Sequence, residues 1–103
     1  MSRDNRNWGL ELEGRIRLGV NVMVRRLRAD ISRNELAARA AITPHRLGQI
    51  ENGSAVATLD VWVRLAGTLG ASLDELLVGV RWVPVPPEEK RGEGAYTVKR
   101  KVS

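Results

Sequence analysis

The chain's single histidine, His45, sits between Pro44 and Arg46 and four positions before Gln49. The Gln49 carboxamide offers a donor and an acceptor side by side, which matches the major-groove edge of adenine. His45 can donate to, or accept from, a base edge or a phosphate, and a guanidinium such as Arg46 suits a phosphate. None of these groups completes a bond-making centre. There is no second histidine, no cysteine and no clustered carboxylate to share a metal ion, so no metal site and no cofactor is expected. No nucleophile–base pair and no phosphate-cradling glycine loop is present, so no catalytic residue is named and an enzyme is the weakest reading. The chemistry on offer is hydrogen bonding and charge.

Such side chains need a rigid carrier, and residues 31–53 read as two short helices joined by a tight turn. Ser32 is a good helix N-cap, and Glu35 three residues later completes a capping-box pattern. Leu36, Ala37 and Ala40 then share one helical face. Thr43 is a second N-cap, and Pro44 falls at the first helical position, where proline is welcome. Leu47 and Ile50 anchor this second helix inward, which leaves Pro44, His45, Gly48 and Gln49 outward. Gly53 is the expected stop. Were this pair of helices to bind DNA, the amino-terminal end of the second would be the part to enter the major groove. Arg46 would reach one phosphate, and Thr43 with the first amides of the helix would bind another.

The remaining composition agrees with an anionic partner. The 103 residues suffice for one small domain, and their net charge is +5. A basic chain favours nucleic acid through phosphate neutralisation, the alternative being a merely soluble surface. Arginine predominates, and the three lysines, Lys90, Lys99 and Lys101, all lie in the last segment; compositional bias accounts for the arginine as well as phosphate binding does. No apolar run approaches the ~20 residues that span a bilayer, and the opening MSRDNRNWG lacks the apolar core of a signal peptide. A soluble cytoplasmic protein, nucleoid-associated and without membrane contact, is expected.

Either side of the two-helix stretch the pattern changes. Trp8, Leu10, Leu12, Ile16, Leu18, Val20, Val22 and Val24 fall on even positions, the period of a half-buried strand. The expectation is an extended segment over residues 10–17 and a helix over residues 18–28, with Gly14 and Gly19 as breakpoints. Downstream, Thr58 caps a helix whose Trp62, Leu65, Ala66 and Leu69 follow helical spacing, so Trp62 is read as core. Gly70 stops it. Ser72 caps a last short helix carrying Leu73, Leu76 and Leu77, and Gly79 ends this part.

Leu18, Gly19, Asn21, Val22 and Arg26, then Ser32, Glu35, Leu36, Ala37, Thr43, Leu47, Ile50, Glu51, Asn52 and Gly53, then Thr58 to Gly70 and Ser72 to Leu77 form five segments in order. Together they resemble the lambda-repressor-like (Cro-type, XRE family) helix-turn-helix DNA-binding domains over residues 18–78. The resemblance implies a mainly α, five-helix domain that binds double-stranded DNA. It implies that Arg26 pairs with Glu51 as a brace for the reading helix, that Gln49 reads a base, and that Arg33 and Asn52 contact phosphates. Asn52 is equally a helix-terminating asparagine. Three departures stand out. Ala41 occupies a turn position where glycine is usual, Gly48 costs the second helix about 1 kcal/mol relative to alanine, and Pro44 lacks a backbone donor.

The domain boundaries read as an amino-terminal extension (residues 1–17), the helix-turn-helix domain (18–79) and a basic extension (80–103). In the last, VRWVPV and AYTVKRKV are two extended runs around a Pro- and Gly-containing loop, which suggests a hairpin with Pro84 at an edge. A lone hairpin needs a partner. The LELE run at residues 10–13 is the candidate strand, giving a small antiparallel sheet from both ends of the chain; the alternative is a disordered basic tail. Function is expected to be that of a repressor-type transcriptional regulator acting as a homodimer, with the subunit contact drawn from Leu76, Leu77, Val80 and Trp82. The other reading is the antitoxin of a toxin–antitoxin pair, gripping a toxin or another regulatory protein through the carboxyl-terminal segment.

Overall fold

The computed structural model describes residues 11–84 and the backbone of residues 95–98. Helix α1 spans Leu12–Arg28. The segment expected to be extended is therefore helical from Leu12; what lies before residue 11 falls outside the described residues. The even-numbered apolar pattern misleads because its members do not share a face. Leu12 and Ile16 are exposed, whereas Gly14, Leu18, Gly19, Val22 and Arg26 are buried, a spacing near four that only a helix produces.

Neither Gly14 nor Gly19 breaks α1. Gly19 lies where α1 crosses α3 (Pro44–Glu51), and a Cβ there would stand 2.4 Å from the carbonyl oxygens of both Ile50 and Glu51. The first turns of α1 also close over the end of α3. Arg15 Nε donates to the Gly53 carbonyl at 3.0 Å, and Ile16 packs so tightly on Gly53 that a Cβ there would come within 2.7 Å of its Cγ1. Contact with α3 is what makes this stretch a helix.

The other helices are α2 (Arg33–Ala40), α4 (Leu59–Leu69) and α5 (Leu73–Leu76). Ser32, Thr43, Thr58 and Ser72 each accept, through the side-chain oxygen, the amide three residues on. Only Ser72 and Glu75 complete the reciprocal box. At Ser32 the expected box is half formed, because the Glu35 carboxylate pairs with Arg39 instead. Helices α1 to α4 end alike: a left-handed residue donates to the carbonyl three back, and the next residue to the one five back. The left-handed positions are Asp30, Ala41, Gly53 and Gly70.

The core gathers Leu18 and Val22 from α1, Leu36, Ala37 and Ala40 from α2, Leu47 and Ile50 from α3, and Trp62, Leu65 and Ala66 from α4, closed by Leu76. Trp62 is core, as its helical spacing predicts. Asn21 ties the chain's exit from α5 to α1, its Nδ2 donating to the carbonyls of Leu76 at 2.8 Å and Val78 at 3.0 Å.

Strands β1 (Val80–Val83) and β2 (Ala95–Val98) then pair antiparallel, Val80 opposite Val98 and Trp82 opposite Tyr96. The expected hairpin is there, but among the described residues the sheet has two strands and no contribution from residues 11–13; Leu12 and Glu13 begin α1. The hairpin's partner is α1 itself, alongside which β2 runs. The basic residues 99–101 lie outside the described residues. Among the described residues no helix is long and apolar enough to cross a membrane.

Candidate nucleic-acid interface

Helix α3 has two unlike faces. Leu47 and Ile50 are sealed in the core. Opposite them Pro44, His45 and Arg46 are exposed and Gln49 is half-buried. Thr43 starts the helix, its Oγ1 accepting the Arg46 amide at 3.0 Å. A shallow depression of about 270 Å³ on this face is lined by Arg33, Pro44, His45, Gly48, Gln49 and Asn52. Five residues expected at a DNA contact thus meet at one place, with Gly48 between them.

Arg46 flanks this depression, and Asn52 lies at its edge. Arg46 is exposed and donates through Nη2 to the Val56 carbonyl at 3.1 Å, which leaves its remaining N–H groups for an anion. Asn52 Oδ1 accepts the Ser54 amide at 2.9 Å, so the side chain shapes the turn after α3 and keeps its NH₂ donors available.

What aims this face is Glu51, buried at the inner end of α3. Its carboxylate receives Arg26 Nε at 2.8 Å and Arg26 Nη2 at 3.3 Å. Arg26 also donates to the Ile31 carbonyl at 3.1 Å. Arg33 Nε reaches Glu51 Oε1 at 3.3 Å from α2. One carboxylate therefore fastens α3 to α1 directly and to the first residue of α2. The Arg26–Glu51 pair is the one the resemblance implies. The Arg33 contact was not foreseen; its signal was an arginine at the start of α2 combined with a glycine mid-way along α3. Gly19 was read as a breakpoint, although a glycine inside an otherwise regular helix is itself a mark of close approach.

The residues expected at a subunit contact separate. Leu76 is fully buried and belongs to the core, so it offers no free side chain of the kind anticipated, whereas Val80 is half-buried against that core. Leu77 and Trp82 are exposed, together with Val78 and Val83, which the sequence did not single out. Among the described residues no group of three or more His, Asp or Glu side chains could hold a metal ion.

Residues 17–77 match the model of a family described as "Helix-turn-helix domain". No curated protein matches the chain. Among solved structures, the clp gene regulator ClgR from Corynebacterium glutamicum is 25% identical, with a TM-score of 0.59 over 61% of this chain and 82% of that one. The restriction-modification controller protein C.AhdI from Aeromonas hydrophila is 23% identical, with a TM-score of 0.58 over 59% and 92% of the respective chains. The P22 c2 repressor protein, solved with a synthetic operator, is 22% identical, with a TM-score of 0.56 over 58% and 91%. The match covers more than half of the chain, from within α1 to the end of α5, so this protein belongs to the helix-turn-helix domain family of DNA-binding transcription regulators, with the lambda-repressor-like fold.

Proposed function

We propose that the protein is a sequence-specific double-stranded DNA-binding regulator of the repressor type, acting as a homodimer through α3. The observation that carries this reading is the convergence of His45, Gln49 and Asn52 on the outer face of a helix whose inner end is fastened by the buried Glu51. In this reading Gln49 reads an adenine, His45 contacts a base edge or phosphate, and Thr43, Arg46 and Asn52 hold the backbone. A single such helix covers few base pairs; two of them 34–36 Å apart on one side of the duplex give useful affinity and specificity. Leu77, Val78, Trp82 and Val83 supply exposed apolar surface for the subunit contact.

Selection of bound duplexes from a random pool at stated salt tests the reading. The expected result is a repeated half-site at fixed spacing. Gln49→Ala should relax preference at one position, and Arg46→Ala should weaken all duplexes and lower the salt slope by about one. Two mutants that bind every duplex as the parent does would remove α3 as the reading helix.

The hairpin beyond the family match favours a second reading, an antitoxin whose β1–β2 arm binds a toxin. Co-purification with a small partner that is lost on deleting residues 80–103 would support it over a free-standing regulator.

A further inference from the structure

We infer that Arg33 reads a guanine in the major groove and that the absence of a long side chain at Gly48 is what allows it to do so, an inference that rests on the DNA-binding reading above. Arg33, at the first position of α2, folds back over α3. A Cβ placed on Gly48 would lie 3.5 Å from Arg33 Nη1, 3.8 Å from Cζ and 3.9 Å from Cδ. The guanidinium therefore rests against bare α3 backbone, in the depression it shares with His45, Gln49 and Asn52.

Three properties suit this group to a base rather than a phosphate. Its Nε is already given to Glu51 Oε1 at 3.3 Å, which leaves the Nη ends free to donate in parallel to O6 and N7 of guanine. That same bond fixes the plane of the guanidinium, so less rotamer freedom is lost on binding. The side chain is 50% exposed, and Glu51 is shared by two guanidiniums, so positive charge is left over for an electronegative base edge. Gly48, which weakens the helix it stands in, acquires a role: a side chain longer than alanine's there would compete for the arginine's seat.

The test compares duplexes selected from a random pool by the full chain and by its variants at one salt concentration. Arg33→Gln should abolish preference for guanine at one position per half-site, by roughly tenfold or more. Arg33→Lys keeps the charge but not the fork, and should lose the same preference while keeping the salt slope. Gly48→Met should lose it with Arg33 intact, with circular dichroism unchanged. Gly48→Ala, whose Cβ makes only ordinary contact, should keep it. Uniform weakening of all duplexes by Arg33→Gln, with a salt slope smaller by about one, would make Arg33 a phosphate contact and overturn the inference. An operator with no position that depends on Arg33 would overturn it and leave the DNA-binding reading intact, whereas a parent chain that selects no duplex would remove both.

Discussion

Arg26 and Glu51, 25 positions apart in the chain, meet through two hydrogen bonds in a buried setting, Nε to Oε2 at 2.8 Å and Nη2 to Oε1 at 3.3 Å. A buried carboxylate is costly to leave alone, and a paired one chiefly gives direction. Here it sets the angle of α3, because Glu51 is that helix's last residue and Arg26 stands in the closing turn of α1.

Arg26→Ala should therefore cost about 3 kcal/mol, the lower end for a broken buried pair, since Arg33 still touches the orphaned carboxylate. Arg33→Ala, at a half-exposed side chain, should cost less than about 1 kcal/mol. Urea midpoints of the two variants check this. Equal losses would show that Glu51 does not depend mainly on Arg26.

Two glycines should respond oppositely to alanine. At Gly19 the new Cβ meets two backbone carbonyls at 2.4 Å, which neither helix can move aside cheaply; about 2 kcal/mol or more should be lost. At Gly67 nothing lies within 4 Å, and up to about 1 kcal/mol should be gained from helix propensity. Thermal melts of the pair give the two signs directly.

Ala41 ends α2 at a φ of 60°, a conformation that costs a residue with a Cβ about 1–2 kcal/mol. Ala41→Gly should relieve part of that and stabilise by up to about 1 kcal/mol, offset by the looser unfolded chain. Gly53→Ala should destabilise, since it combines a φ of 83° with a collision against Ile16. A chemical-denaturation series over both variants tests the order.

Glu75 should titrate below its ordinary value of 4.5, because the Ser72 amide donates to it and Arg25 stands nearby. A depressed carboxylate contributes stability that is full above its unfolded pKa and lost as the pH falls through its folded pKa. Glu75→Gln keeps an acceptor for the Ser72 amide but cannot titrate. It should flatten that acid limb, and NMR titration of Glu75 in the parent should give a midpoint under the ordinary one.

The caps and the periodic apolar faces carried most of the fold. Ser32, Thr43, Thr58 and Ser72 mark four helix starts by local hydrogen bonding alone, which is why those starts can be read from residue order. The first turns of α1 could not be read this way. They are helical because Arg15 and Ile16 pack on Gly53, a contact 37 or 38 positions distant, while the local pattern favours a strand. At the site, the outward set on α3 follows from Leu47 and Ile50 facing in. The return of Arg33 across Gly48 depends on the angle between α2 and α3, and no local spacing encodes that angle. Leu76 was misplaced for a related reason: on so short a helix, periodicity does not separate the residue facing the core from its neighbour Leu77.

The repeated left-handed endings of α1 to α4 have a mechanical consequence. Each junction is pinned by a pair of amide–carbonyl bonds, and the wedge between α1 and α3 has no slack at Gly19. Such a scaffold gives way as a block before it bends. If the proposed complex forms, accommodation should then come chiefly from roll and twist in the duplex, so that stiff and pliant sequences outside the contacted bases are expected to differ by what they cost to deform.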